Sequence, residues 1–287
     1  MTSVVVVGSV NLDAVTVCPR FPQPGETVTG TSVSFGQGGK GANQARSAAR
    51  AGASTVFVGA VGEDDAAETV LGSLAAADVD VTRVARVEGS TGFANVTVDA
   101  SGENHIVVVP GANGSVTVGD ATRAAIADAD VLLLQLEIPL PAVVDAARAA
   151  RGAGTVVLLN PSPVQALPDE LVDLLDAVIV NRDEEKALTE VVGRVPHVVT
   201  TLGGDGARAT GPDSTVETPG FAVEVVDTTG AGDAFAGALA AHWDLPPAER
   251  LRRANAAGAL TATAAGAAAA PTAAEVDAFL AEQEPTR

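Results

Sequence analysis

Asp233 follows directly on Gly230-Ala231-Gly232, within the segment Val226-Asp227-Thr228-Thr229-Gly230-Ala231-Gly232-Asp233-Ala234-Phe235. The peptide N–H groups of such a Gly-spaced turn, with the positive end of the helix it opens, form a hole for an anion. A carboxylate beside that hole can take a proton from a hydroxyl as the hydroxyl attacks. Moving a phosphoryl group onto an alcohol needs both parts, because the added charge must be held while the nucleophile is aligned. Asp233 also fits a simpler role, complementing the dipole of the helix it opens.

Four further segments carry polar groups. In Phe35–Ala45, Gly36, Gly38 and Gly41 satisfy G-x-G-x-x-G, which raises a dinucleotide site. The preceding run alternates, however, and is not a buried first strand. The segment therefore reads as a backbone-exposing loop at a helix start, with Lys40 and Asn43 as donors to a polar ligand. Asn11 and Asp13 lie just past the first strand, where open α/β sheets bind ligands; they suit vicinal sugar hydroxyls, or a turn made by two Asx side chains. Asn181 and Glu184 share one side of a helix's first turn. They could orient water around the Mg²⁺ of ATP, or form an N-cap and capping box. Thr201-Leu202-Gly203-Gly204-Asp205-Gly206 could meet phosphates through its backbone, or be a plain turn. Glu137 is one more strand-end carboxylate. There is no G-x-x-x-x-G-K-[ST], H-E-x-x-H or G-x-S-x-G sequence.

The elements that must position these groups alternate. Ser3–Val10, Thr55–Val61, Val131–Gln135, Thr155–Asn160, Ala177–Val180 and His197–Thr201 are continuous apolar runs, as expected of parallel strands buried on both faces. Between them Ala42–Ala51, Asp64–Ala76, Gly119–Ala127, Pro141–Arg151, Asp169–Leu175 and Arg182–Val192 read as helices. Helices over Asp233–Ala241, about Ala248–Thr263 and Ala273–Glu284 close the chain. The rhythm implies a doubly wound, mostly parallel α/β sheet. Thr27–Phe35, Gly92–Val98 and His105–Val109 interrupt it with strand-like runs, which read as a small β-sheet lid or as a β-extension without function.

The chain has 287 residues, 47% of them hydrophobic, and a mean hydropathy of +0.27, which excludes a disordered chain. Its net charge of −19 repels polyanions, so no nucleic-acid role is expected. An anionic substrate must then find positive potential within the site. Cys18 is the only cysteine, so no internal disulfide can form. His105, His197 and His242 are too dispersed for a Cys/His metal cluster. Ala254–Ala274 carries no charge but is too weakly apolar to span a bilayer. The N-terminus has no basic region followed by a long apolar run; the chain reads as cytoplasmic, which leaves the sequons at Asn95 and Asn113 without consequence.

Taken together, these segments resemble the ribokinase branch of the phosphofructokinase-B carbohydrate kinases. The resemblance rests on Gly36-Gln37-Gly38-Gly39-Lys40-Gly41-Ala42-Asn43 and Asp227-Thr228-Thr229-Gly230-Ala231-Gly232-Asp233. Pro24–Gly30, Gln135-Leu136-Glu137, Asn160-Pro161-Ser162-Pro163 and the Asn181…Glu184 pair support it. It implies one three-layer α/β/α domain over residues 1–287, with a lid over about 12–37 and 91–110. It also implies transfer of the γ-phosphoryl of MgATP to the 5-hydroxyl of D-ribose, or of a nucleoside, deoxyribose or another sugar. By the same resemblance, Asn11, Asp13, Gly39, Lys40, Gly41, Asn43 and Glu137 hold the sugar. Asp233 is the base, and Gly230, Ala231 and Gly232 are the anion hole. Asn181, Thr201, Gly203, Gly206, Gly232 and Asn255 line the ATP site, and Glu184 acts on Mg²⁺ through water. An activating K⁺ is implied at Asp227, Thr229, Thr261, Ala264, Gly266 and Ala270, and a homodimer through the lid. Two features depart from the family pattern. Ala270 stands where relatives usually offer a serine hydroxyl, and only 19 residues separate Asn181 from Thr201.

Overall fold

The computed structural model describes residues 1–264, 266 and 269–283. The chain opens with β1 (Ser3–Val7), β2 (Asn11–Val17) and β3 (Ser32–Gly38), then α1 (Lys40–Arg50). β4 (Ser54–Val58) and β5 (Ala60–Val61) lead into α2 (Asp65–Ala75). Short strands β6 (Val79–Asp80) and β7 (Ala85–Arg86) precede β8 (Gly92–Val98) and β9 (Asn104–Val109). Helices and strands then alternate through α3 (Asp120–Ala127), β10 (Val131–Leu134), α4 (Leu140–Ala153), β11 (Val156–Leu159), α5 (Asp169–Leu174) and β12 (Ala177–Asn181). α6 (Arg182–Ala187) and α7 (Thr189–Val192) are followed by β13 (His197–Thr201), β14 (Gly206–Thr210) and β15 (Thr215–Pro219). Helices α8 (Ala231–Ala241), α9 (Pro247–Ala262) and α10 (Ala273–Glu282) end the described chain; Glu284 lies outside the described residues.

Nine strands form the main sheet in the order β15-β14-β13-β12-β11-β10-β1-β4-β6. All neighbours are parallel except β13–β14 and β14–β15. The continuous apolar strands serve two cores at once. Val4 and Val6 pack with Ala45 of α1, Phe235 and Leu239 of α8 and Leu251 of α9. Val5 and Val7 face the other side, with Ile126 of α3, Val143 and Ala147 of α4 and Leu171 of α5. Each such Val or Leu, fully buried, contributes about 1.5–3 kcal/mol. The three layers therefore follow from strand runs without polar interruptions.

The chain leaves β1 toward β4 on one side and returns as β10 on the other. Beyond the strand ends this switch of direction opens a crevice, which is where such sheets take ligands. Ser9, Gln135 and Glu137 all lie there. Helices α1 and α8 meet over the same region through small residues. At Gly237 a Cβ would lie 2.3 Å from the Gln44 carbonyl oxygen, and Ser47 Oγ donates to the Ala234 carbonyl at 2.7 Å.

A separate four-stranded sheet runs β3-β2-β8-β9, with β2–β8 parallel and the outer pairs antiparallel. Cys18 is buried beside it, its N–H donating to Val98 O at 2.9 Å. Val33, Phe35 and Ile106 to Val109 are exposed on it.

Several boundaries differ from the sequence expectation. The first strand stops at Val7, and Asn11–Asp13 are not a turn but the start of β2. The Asn113 amide clamps that corner, accepting from Val10 N at 2.9 Å and donating to Val10 O at 3.1 Å. The third strand lies at Ser32–Gly38, later than Thr27–Phe35, because it is the glycine-rich half that fits against β2. The Thr55–Val61 run breaks at Gly59, so that Ala60–Val61 pair with β7. Arg182–Val192 forms two short helices that part at Leu188.

Candidate active site

Asp233 sits in the first turn of α8, behind Gly230 at φ 79°, a left-handed conformation that glycine adopts without strain. Asp233 is 8% exposed, and two successive side chains of α1 hold its carboxylate. Asn43 Nδ2 donates to Oδ2 at 3.1 Å and Gln44 Nε2 donates to Oδ1 at 2.9 Å. Both donors are buried. Asn43, expected on the sugar, thus also anchors Asp233. Ala231 differs from its expected part in the anion hole: its N–H donates to Thr228 O at 3.2 Å. Among the described residues, no hydrogen bond engages the N–H groups of Gly230 and Gly232. A Cβ on Gly232 would meet nothing within 4 Å, so the turn opens onto free space.

The expected sugar residues gather on one flank. Gly39, at φ 86°, caps α1 so closely that a Cβ would lie 2.8 Å from Val10 Cα. This turn aims Lys40 N at Glu137 Oε2, 3.0 Å away. Ser9 Oγ donates to the same oxygen at 2.5 Å and accepts from Gly41 N at 3.3 Å. The Asn11 Oδ1 accepts from Asn113 Nδ2 at 2.8 Å, which leaves the Asn11 amide nitrogen as the free donor. Asp13 Oδ1 is buried and has no hydrogen-bond partner. Burial, reinforced by the nearby carboxylates of Glu137 and Asp233, pushes the Asp13 carboxyl up to about 7. An acceptor without a donor, beside two more carboxylates, is suited to a ligand rich in hydroxyl donors.

A cleft of about 240 Å³ adjoins this flank, lined by Lys40, Asn160, Ser162, Ile179, Val180, Asn181, Glu184, Thr201, Thr228, Gly230, Gly232 and Asp233. Lys40 is the one cation in that lining, and with the N-terminus of α8 it supplies the positive potential that the acidic chain otherwise lacks. Asn181 and Glu184 form a full capping box. Asn181 Oδ1 accepts from Glu184 N at 2.8 Å, and Glu184 Oε2 accepts from Asn181 N at 2.9 Å. Their capping role is therefore realised while both side chains still border the cleft. Gly203, Gly206 and Asn255 are outside the cleft lining. Gly206 approaches Thr218 O, where a Cβ would sit at 2.1 Å. Asn255 Nδ2 donates to Thr218 O and Pro219 O at 3.2 and 3.3 Å, fixing the end of β15.

Of the residues expected around a monovalent cation, Asp227, Thr229 and Gly266 are joined directly by hydrogen bonds. Asp227 accepts from Thr229 N at 2.9 Å and Gly266 N at 3.0 Å. Burial alone would raise its carboxyl, but hydrogen bonds from Thr229 and Gly266 outweigh it and hold the carboxyl below its ordinary value. Val226 N and Asp227 N both donate to Ala262 O, and Ala264 N to Thr261 O at 3.2 Å. Ala270 is buried and offers only a methyl group.

Sequence reasoning did not assign Ser9, Gln37, Gln44, Asn113, Gln135 or Asn160 to the site. Their periodicity is that of core positions, and only an amide or hydroxyl at 0–4% exposure distinguishes Ser9, Gln37, Gln44, Asn113 and Gln135 once folded. A polar residue on an apolar helix face or at the end of an apolar strand is the available signal.

Three kinds of comparison agree with this geometry. The model of the pfkB family of carbohydrate kinases matches residues 1–273. A ribokinase of Haemophilus influenzae is 39% identical over 251 residues, 81% of this chain and 82% of that one. A bifunctional ribokinase/ribose-5-phosphate isomerase A of Fructilactobacillus sanfranciscensis is 38% identical over 265 residues, 85% of this chain; the chain spans 49% of that relative's length. The Arabidopsis thaliana ribokinase solved in complex with ribose and ATP superposes with a TM-score of 0.91 at 31% identity, covering 97% of this chain and 98% of that one. With a sheet of this order, a carboxylate over a glycine turn and a family match across nearly its whole length, the chain belongs to the pfkB family of carbohydrate kinases.

Proposed function

We propose that this sugar kinase transfers the γ-phosphoryl group of ATP to the 5-hydroxyl of D-ribose, giving ribose 5-phosphate and ADP. The observation that carries the reading is Asp233, held at both oxygens and facing a cleft beside the unengaged N–H groups of Gly230 and Gly232. Asn11, Asp13, Lys40, Asn43 and Glu137 hold the pentose hydroxyls. Asp233 takes the proton of the 5-hydroxyl as its oxygen attacks the γ-phosphorus. The bond from that phosphorus to the bridging oxygen breaks, and its electron pair leaves on ADP. The Gly230 and Gly232 N–H groups, the α8 dipole and Lys40 offset the charge of the moving group. Product release returns the proton to solvent.

Asn181 and Thr201 border the nucleotide part of the cleft, with Gly203, Gly206 and Asn255 shaping the strands behind it. Among the described residues no three His, Cys, Asp or Glu side chains form a metal cluster. A divalent cation would therefore arrive on the nucleotide, with the free oxygen of Glu184 reaching it through water. A Mg²⁺ ion held there would supply positive charge against the phosphate groups. For K⁺ the candidate donors at Asp227, Thr229, Thr261, Ala264, Gly266 and Ala270 are all oxygens, mostly backbone carbonyls, which suits a hard cation.

The exposed apolar side chains on β3 and β9, both edge strands, support a homodimer through the small sheet acting as a lid. No helix among the described residues is long and apolar enough to cross a membrane; we place the enzyme in the cytoplasm. A coupled ADP assay with ribose, deoxyribose, nucleosides and hexoses, with and without K⁺, tests the proposal. Highest kcat/KM with ribose and stimulation by K⁺ are expected; preference for another acceptor reassigns the substrate. Sedimentation velocity reads the dimer.

A further inference from the structure

Two buried amide relays converge on Asp233, one on each oxygen. In the first, Gln135 Nε2 donates to Gln44 Oε1 at 2.6 Å, and Gln44 Nε2 donates to Asp233 Oδ1 at 2.9 Å and to Asn160 Oδ1 at 3.1 Å. In the second, Arg46 Nε donates to Gln37 Oε1 at 3.0 Å, Gln37 Nε2 to Asn43 Oδ1 at 2.8 Å, and Asn43 Nδ2 to Asp233 Oδ2 at 3.1 Å. Gln44 and Gln135 are fully buried, and Gln37, Asn43 and Arg46 are buried with them.

The direction of each relay is forced. An ionised carboxylate only accepts and a guanidinium only donates. With Asp233 at one end and Arg46 at the other, Gln37 and Asn43 have one orientation that pairs every group. In the shorter relay, a turned Gln44 amide would set its carbonyl against the Asp233 carboxylate. The Gln135 donor opposes that turn, although its own Oε1 is left without a partner in the interior.

We propose that Gln44, fixed by Gln135, is a positioning residue for phosphoryl transfer: it locks the Asp233 carboxylate in the orientation that receives the sugar proton. The proposal rests on Asp233 being the base. Gln44 does not itself line the cleft; it reaches it through Asp233 and Asn160, which do. Its loss therefore acts on the chemical step rather than on substrate affinity.

The test compares Gln44→Met, Gln135→Met, Gln135→Glu and Asp233→Asn in steady-state kinetics with ribose and MgATP, after near-UV circular dichroism has confirmed folding. Gln44→Met should lower kcat about 10- to 100-fold, the size of effect expected from misplacing a reacting group. Its KM for ribose should stay within about threefold, because binding contacts are intact. Gln135→Glu should be worse than Gln135→Met, because the introduced carboxylate draws Gln44 Nε2 away and turns its carbonyl toward Asp233. Should Gln44→Met fail to fold, the two position-135 variants carry the test by their order. Unchanged kcat in Gln44→Met, or Gln135→Glu at least as active as Gln135→Met, overturns the positioning role. Near-normal turnover in Asp233→Asn instead overturns the base on which it rests, so the two failures are distinct.

Discussion

The Asp13 carboxylate lies diagonally across the β2–β3 ladder against Gly38, whose direct partner is Asn11, with no room for another carbon: a Cβ on Gly38 would lie 2.0 Å from Asp13 Oδ2. The glycine at this position is thus a steric condition for where the Asp13 carboxylate points. Gly38→Ala must push that carboxylate aside while leaving β3 paired. The KM for ribose should rise about tenfold or more, as expected for a displaced binding group, with a nearly unchanged melting temperature. Steady-state kinetics and thermal unfolding of this one variant check it.

The raised Asp13 carboxyl, at about 7, sets a pH dependence with a definite sign. Between the unfolded value of 3.8 and about 7 the folded, ligand-free protein binds more protons than the unfolded chain at this group. Its contribution to stability is therefore full below the lower value and is lost as pH rises toward 7. Sugar hydroxyls donating to Asp13 favour the ionised form, so ribose binding near pH 6 should release a proton. Calorimetry in buffers of different ionisation enthalpy measures that release. Asp13→Asn should abolish it, and should flatten the Asp13 contribution to the stability profile over the same range.

Glu184 serves a cap and, by our reading, the nucleotide's cation, and the two roles separate by substitution. Glu184→Gln keeps an oxygen to accept from Asn181 N, so the α6 cap and the melting temperature should be retained. Losing the charge should raise the Mg²⁺ concentration needed for half-maximal rate several-fold. Glu184→Ala should show the same Mg²⁺ effect and also lower the melting temperature, because Asn181 N loses its acceptor. A Mg²⁺ titration and thermal melts of both variants distinguish the roles.

The main sheet was legible because its strands are apolar on both faces, and the two cores require that. Asp233 and its turn were legible because a helix N-terminus announces itself by glycine and a carboxylate. Register was not. The alternation through Thr27–Phe35 does not fix where the strand begins and ends, and the choice is made by Gly36 pairing with Asp13 and Gly38 with Asn11. The break at Leu188 lies in a run whose apolar spacing also suits one continuous helix. The amides behind Asp233 were hidden for another reason. Gln44 and Gln135 are far apart in sequence, and only the close crossing of α1 and α8 at Gly237 brings the first of them onto the base.

The central claim is that Asp233 removes the proton of the sugar hydroxyl, and single-turnover phosphoryl transfer reads it most directly. With saturating MgATP and ribose, Asp233→Asn should slow the transfer step by about 10²–10⁴, the range for loss of a general base. Ribose affinity, measured separately, should stay within a few-fold of the unaltered enzyme. A transfer rate close to that of the unaltered enzyme would contradict the account.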